Sequence, residues 1–432
     1  MPNNWKTYKL SEVTRLTTGF AFKSKDYENI GDLKVVRGMN ITEGILRWGD
    51  DSRFWNHSIK DLKKYLIELD DIVIGMDGSK IGKNRAIIRE NDLPSILAQR
   101  VARIQAIPNI TCQKYIWQLI NNDYFENYID NIKTGTTIPH ISLGQIGNLE
   151  IKLPPLQEQQ SIASILSAID DKIENNLAIN KTLEEMAMVL YKHWFVDFGP
   201  FQDGKFVESE LGMIPKGWEL KKIGDFIKHK KGFAFKSNWY QQKGEIVVRV
   251  SDTTNNSIDI KSCERISSVL ASNYKDYSLK TNDVVIATVG SWPPNYSSVV
   301  GKVIRVPVIA DGALLNQNAV ILTMSIDDKV QQGLLYCILK NERFLKYIVN
   351  CAQGSANQAS IKLTDIFNYP IPLGNNIKIE DFSMQIDTYI SQQNSLIAEN
   401  QMLTQLRDTL LPKLISGEIR LKEFQEQVEN IL

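Results

Sequence analysis

The sequence predicts an α+β fold. Two repeated mixed α/β domains are separated by two long helices packed as an antiparallel coiled coil, giving a pseudo-twofold symmetric chain. Three observations predict it. The hexapeptide GFAFKS occurs at residues 19–24 and again at 232–237, in flanks that hold the same register. Short β-branched runs recur in one order in both halves. A long stretch without glycine, with apolar residues every seven, follows each half.

Each half unfolds from its first tryptophan. WKTYKLSEVTRLTTGFAFKSKDY at 5–27 matches WELKKIGDFIKHKKGFAFKSNWY at 218–240. KVVRGMNI at 34–41 faces IVVRVSDT at 246–253, and DDIVIGMDGS at 70–79 faces NDVVIATVGS at 282–291. ILAQRVARI at 96–104 faces LLNQNAVIL at 314–322. These runs, bounded by Gly, Asp and Asn, read as strands. KYIWQLINNDYFENYI at 114–129 faces GLLYCILKNERFLKYI at 333–348 at mostly helical spacing. TGTTIPHISLGQI at 134–146 faces QGSANQASIKLTDI at 353–366. A period of about half the chain marks a duplicated domain pair rather than a solenoid.

Residues 157–197 contain neither Gly nor Pro. Leu166, Ile173, Asn180, Ala187 and Trp194 form one stripe; Ile162, Ile169, Asn176, Leu183 and Leu190 form the other. Pro154 and Pro155 stop the preceding segment ahead of the helix. About 40 residues at 1.5 Å each make a rod of roughly 60 Å. A partner helix runs from about residue 380 to 416, with Ile386, Gln393, Asn400 and Arg407 in one stripe and Phe382, Tyr389, Leu396, Leu403 and Leu410 in the other. Asn176, Asn180 and Asn400 are polar positions in an apolar seam, where they cost stability and fix register. The predicted segments are 1–155 (first domain), 156–198 (first spacer helix), 199–376 (second domain, with 199–217 as linker) and 377–432 (second helix and tail).

The chain has 432 residues, 50 basic and 50 acidic. Charge nevertheless sorts by segment. Residues 1–156 hold 21 Lys+Arg and 18 Asp+Glu; 157–198 hold 3 and 7; 199–378 hold 22 and 16; 379–432 hold 4 and 9. The globular halves are mildly basic, which suits phosphates. The helices are acidic, which suits protein partners. No apolar run is long enough for a membrane span, and MPNNWKTYKL has no secretory signature. Cys112, Cys263, Cys337 and Cys351 show no metal spacing and read as reduced thiols of a cytoplasmic protein.

Catalytic motifs are missing. SWPPNYS at 291–297 has Trp before the prolines and Asn after them, the reverse of the order adenine methylation uses; a proline turn is the better reading. GMDGSKIGK at 75–83 leaves three residues between Gly78 and Gly82, and Asn84 follows Lys83, so it is not a phosphate loop. The pairs Asp70-Asp71 and Asp170-Asp171 are neighbours that do not share a face.

What remains are polar and basic side chains at repeat-equivalent turns, the types that meet phosphates and base edges. In the first half these are Lys23, Arg37, Lys80, Lys83, Arg85, Arg100, Lys133, Thr136, Thr137 and His140. In the second they are Lys230, Lys231, Lys236, Arg249, Ser291, Lys302, Gln317, Gln353, Ser355, Asn357 and Gln358. The loops 133–145 and 351–363 occupy the same place in the repeat and differ strongly. Readers of two different half-sites would show this; so would drift in surface loops.

The layout resembles the specificity (S) subunit of type I restriction-modification enzymes. LPPLQEQQSIASILSAIDDKIENN at 153–176 is similar to that family's central helix. LYKHWFVDFGPF at 190–201 with ELGMIPKGWEL at 210–220, and LRDTLLPKLISGEIRL at 406–421, carry the likeness through the chain. Residues 370–385 lack the PPLxEQ helix start. The resemblance implies two target-recognition domains, each reading one half of a bipartite site on double-stranded DNA. It implies helices that set the gap and dock two methyltransferase (M) subunits, with restriction (R) subunits joining them. It implies no cofactor in this chain: S-adenosylmethionine, ATP and Mg belong to the partners. A coiled-coil adaptor that never touches DNA and a standalone methyltransferase or nuclease are the alternatives.

Overall fold

The computed structural model describes residues 5–135, 139–254, 257–324, 332–374 and 377–419. Two compact units divide it: residues 1–172 with 404–432, and residues 173–403. Six helices are labelled here: α1 (Gln113–Ile120), α2 (Asp123–Ile132), α3 (Leu156–Phe195), α4 (Gln332–Lys340), α5 (Glu342–Cys351) and α6 (Ile377–Ser416). The division between units falls inside α3 and α6, not at their ends.

In the first unit a five-stranded sheet runs in the order 14–18, 101–106, 72–75, 85–87, 43–44. Its central strand, Ile72–Gly75, is buried along its length, as expected of a β-branched run covered on both faces. Residues 34–36 and 95–97 form a parallel pair beside it. Residues 6–9 pair antiparallel with 150–153. That pair delivers the chain to Pro154 and Pro155; the amides of Glu158 and Gln159 donate to the Pro155 carbonyl and open α3.

The second unit repeats the plan. Strands 227–231, 319–324, 284–287 and 303–305 form an antiparallel sheet. The parallel pair is 245–248 with 314–315. Residues 218–222 pair with 370–374 ahead of α6, which starts at Ile377 without a double proline. The core of this unit joins α3 (Tyr191, Trp194, Phe195), Trp218, α4 (Leu334 to Leu339) and α6 (Phe382, Ile386, Ile390). Rings make its centre: Phe195 meets Phe382 edge-on at 4.9 Å.

Within this unit α3 and α6 run antiparallel. Phe195 meets Phe382, Gln393 donates to the Asn180 carbonyl at 3.0 Å, and Asn176 donates to Asn400 Oδ1 at 2.8 Å. Asn400 returns a bond to the Ile173 carbonyl. Asn400 thus meets Asn176 and not its sequence equivalent Asn180, because antiparallel pairing reverses one register. Asn176 is fully buried, and a second donated bond reaches Glu399. In the first unit Arg407 bonds Asp170 at 3.1 Å.

The repeated hexapeptide has a backbone explanation. A Cβ on Gly19 would lie 2.1 Å from the Ala98 carbonyl oxygen, and one on Gly232 would lie 2.0 Å from that of Asn316. Phe20 and Phe233 donate their amides to Leu97 and Leu315. Phe22 and Phe235 are buried beside them. Gly19→Ala and Gly232→Ala push against backbone, which yields less readily than a side-chain tip. Each is expected to cost roughly 1–3 kcal/mol and to lower the melting temperature by several degrees. Gly49, with open space where its Cβ would stand, is the neutral control in the same melting experiment.

Candidate nucleic-acid interface

The same backbone hydrogen bonds string four segments together in each unit. In the first, Phe20 donates to the Leu97 carbonyl (2.9 Å), Met76 to Arg100 (2.9 Å) and Ile141 to Met76 (2.9 Å). In the second, Phe233 donates to Leu315 (2.9 Å), Thr288 to Asn318 (2.9 Å) and Ile361 to Thr288 (3.0 Å). The hexapeptide turn, the turn before strand 101–106 or 319–324, the loop after the central strand, and the segment after α2 or α5 therefore meet in each copy.

The side chains on this frame differ. In the first unit Arg100 pairs with Asp77 at 2.9 Å, Gly78 donates to the Pro139 carbonyl, and His140 Nε2 lies 3.1 Å from Thr134 Oγ1. In the second the segment after α5 is a hairpin: Gln353–Ser355 pairs with Gln358–Ser360, which pairs with Val289–Gly290. Trp292 donates its indole N–H to the Ser355 carbonyl at 2.8 Å. The proline turn at 291–297 thus buttresses the hairpin. Ser291 bonds Asn295 and Ser298 and supports that turn.

The predicted residues fall into two groups. Lys23, Lys80, Lys83, Arg100, Lys133, His140, Lys230, Lys231, Lys236, Gln317, Gln353, Ser355, Asn357 and Gln358 are exposed. Among these, Lys133 pairs with Asp130 at 2.7 Å and Lys236 lies over the Trp239 ring. Thr136 and Thr137 lie outside the described residues. The other group is committed inside the fold. Arg85 is the clearest correction: it is 5% exposed and bonds Glu126 (2.7 Å), Asn121 (3.1 Å) and the Gly82 carbonyl (2.5 Å). It braces the sheet against α1 and α2.

Arg37 and Arg249 start equivalent turns but differ in electrostatic surroundings. Arg249 is held by Asp252 and Glu264, and the Asp252 hydrogen bonds raise its pKa. Arg37 bonds the Asp51 carbonyl, and its pKa is lowered by burial and by nearby Arg53. Lys302 donates to the Thr253 carbonyl at 3.0 Å; burial and then Lys340 lower its pKa. Gln99, missed in the sequence reading, is exposed and stands where Gln317 stands in the second copy. The pairing of 96–104 with 314–322 contained that signal.

No group of three or more His, Cys, Asp or Glu suited to a metal occurs among the described residues. No helix among them is long and apolar enough to cross a membrane.

Residues 2–185 and 215–397 each match the type I restriction modification DNA specificity domain. The specificity subunit of the type I restriction enzyme MjaIX of Methanocaldococcus jannaschii is 31% identical over 315 residues, 72% of this chain and 70% of the relative. The HindI specificity subunit of Haemophilus influenzae is 24% identical over 490 residues, 96% of this chain and 100% of the relative. The crystal structure of a type I restriction-modification S subunit from M. genitalium superimposes with a TM-score of 0.57 at 15% identity. It covers 96% of this chain and 97% of that one, a likeness of fold.

The two groups of cations separate experimentally. Arg85→Ala leaves Glu126 with only the longer Lys83 pair at 3.9 Å and removes the guanidinium donor from Asn121 and the Gly82 carbonyl, and is expected to destabilise the protein by about 2–4 kcal/mol. Lys80→Ala, at an exposed side chain with no partner among the described residues, is expected to stay within about 0.5 kcal/mol of the parent. Urea titration reads both.

Proposed function

The chain belongs to the type I restriction-modification specificity subunits, and from that premise we propose how its parts divide the work. Each domain reads one half of a bipartite, asymmetric site on double-stranded DNA. The residues that read are the exposed ones on the four-segment frame. In the first domain these are Lys23, Lys80, Lys83, Gln99, Arg100 and His140. In the second they are Lys236, Gln317 and the hairpin residues Gln353, Ser355, Asn357 and Gln358. Lysines position the domain on phosphates; Arg, Asn and Gln meet base edges.

One observation carries this reading. The backbone bonds of the frame are the same in both copies, whereas the side chains on them differ: Met76 against Thr288, Asp77 against Val289, Arg100 against Asn318, His140 against Ser360. A shared scaffold with exchanged surface chemistry suits two readers of unlike sequences.

The two long helices, 40 residues each, set the gap between half-sites and dock the methyltransferase subunits on their acidic outer surface. Catalysis, with S-adenosylmethionine, ATP and Mg, resides in the M and R partner chains. Half-sites on one face of the duplex lie about one turn, roughly 34 Å, apart, a distance helices of about 60 Å can span.

The test is a map of methylated adenines in a host lacking that methylation, with this chain co-expressed with its methyltransferase subunit. One bipartite motif with a fixed gap, lost when this chain is omitted, is the expected result. A stable complex with no motif would favour an adaptor role instead. Replacing residues 353–360 by a hairpin of other sequence is expected to change one half-site and leave the other and the gap unaltered. A simultaneous change in both half-sites would rule out one reader per domain. Removing four residues, about 6 Å of helix, from both α3 and α6 is expected to shorten the gap by roughly one to two base pairs at about 3.4 Å each. The half-sites should persist.

A further inference from the structure

The second domain is fastened to the long helix α6 by a buried arginine at a position where the first copy has Ile87. Arg305, at the end of strand 303–305, is 8% exposed. Its guanidinium reaches two successive residues of α6: Gln393 Oε1 at 2.6 Å and Asn394 Oδ1 at 3.1 Å. The nitrogen that bonds Asn394 also bonds Asn282 Oδ1 at 2.7 Å, and Asn394 donates to the same Asn282 oxygen at 2.9 Å. Gln393 continues the chain by donating to the Asn180 carbonyl of α3. Beside it, Tyr336 of α4 donates its hydroxyl to Glu184 of α3. Strand, α4, α3 and α6 are thereby joined through directional bonds.

The repeat makes this joint conspicuous. Val284 pairs with Arg305 across the sheet, and the equivalent Ile72 pairs with Ile87. Gln393 and Ile173 hold the same place in the helix stripe, as Asn400 and Asn180 do. One copy therefore uses isoleucine at both positions that the other fills with the arginine and its amide. Apolar burial is non-directional and needs only area. A planar guanidinium across two consecutive helix residues defines a position along the helix. A buried cation held by amide oxygens, with no carboxylate in hydrogen-bond contact among the described residues, gives little net stability. Its use is geometric.

We propose that Arg305 is a positioning residue for gap length. By forking onto Gln393 and Asn394 it fixes where the second recognition domain sits along α6, and hence the base-pair count between half-sites. This rests on the reading of the helices as the element that sets the gap. One base pair is about 3.4 Å along the duplex, so a slip of less than one helical turn, about 5.4 Å, changes the count.

The experiment is the same methylation map, made with wild type and with the double variant Arg305→Ile, Gln393→Ile, which installs the residues of the other copy. The double variant is expected to assemble and keep both half-sites. Modification is expected to spread to sites whose gap differs by one base pair, at least about tenfold above the wild-type level there, a difference of about 1.4 kcal/mol in discrimination. A single wild-type gap in the assembled double variant overturns the proposal. Arg305→Lys keeps the charge but replaces the fork by a point donor. It is expected to show the same spread in smaller measure, and a single gap in that variant overturns the proposal even if the double variant fails to fold. Wild type lacking any bipartite motif would instead overturn the underlying reading, and the wild-type arm tells these failures apart.

Discussion

The hydrogen bond from the Met76 amide to the Arg100 carbonyl, repeated as Thr288 to Asn318, is the constraint on which the recognition surface depends. It ties the loop after the central strand to the turn before the next long strand, and each of those carries a further segment. Because donor and acceptor are backbone groups, the tie makes no demand on side-chain identity. The glycine of GFAFKS serves the same end by letting one backbone approach another where a Cβ could not fit. The frame is fixed by main chain, and evolution is free to alter what projects from it.

The helices follow the opposite rule. Their contacts depend on side chains, and the polar ones are specific. Asn176 with Asn400, Gln393 with the Asn180 carbonyl, and Arg407 with Asp170 sit among Leu, Ile and Phe that would tolerate sliding. Each polar residue in such a seam lowers stability relative to an apolar one and penalises every other register more heavily. A pair of helices used as a measuring element needs a single register more than it needs maximal stability. The aromatic group of Phe195, Trp218 and Phe382 supplies the area that the amides forgo.

The duplication, the strands, α1, α2 and both long helices were legible in the sequence because periodicity and an internal copy are local signals. Their cross-links were not. Arg85 reads as a loop cation beside Lys80 and Lys83, but Glu126, its partner, stands 41 residues on. Arg249 differs from Arg37 first because Asp252 stands where the other copy has Asn40, which the sequence shows, and then because Glu264 lies across a strand pair, which it does not. The bracing Trp292 gave no hint, since a tryptophan before two prolines says nothing about a carbonyl 63 residues away. The seam asparagines were visible as residues, but the partner of each followed only from antiparallel packing. Where a cation's role depends on a long-range carboxylate, composition ranks candidates and geometry assigns them.

Two copies of one domain start with the same buried surface and the same turns, so every departure between them needs a local cause. Surface departures such as Arg100 against Asn318 cost little, because exposed positions tolerate exchange within a few tenths of a kcal/mol. A buried departure is different. Placing a guanidinium where the other copy has Ile87 exposes it to the desolvation cost of an interior site, and burial does lower the Arg305 pKa. That change survives only if acceptors arrive with it, and three do: Gln393, Asn394 and Asn282. Such coordinated substitution across a strand, a loop and a helix is hard to reach by drift in single steps, since each intermediate leaves a buried donor or acceptor unmet. The two domains share a plan for holding their reading surfaces and differ in how they are fastened to the helices, and the asymmetry of fastening is the part that drift explains least.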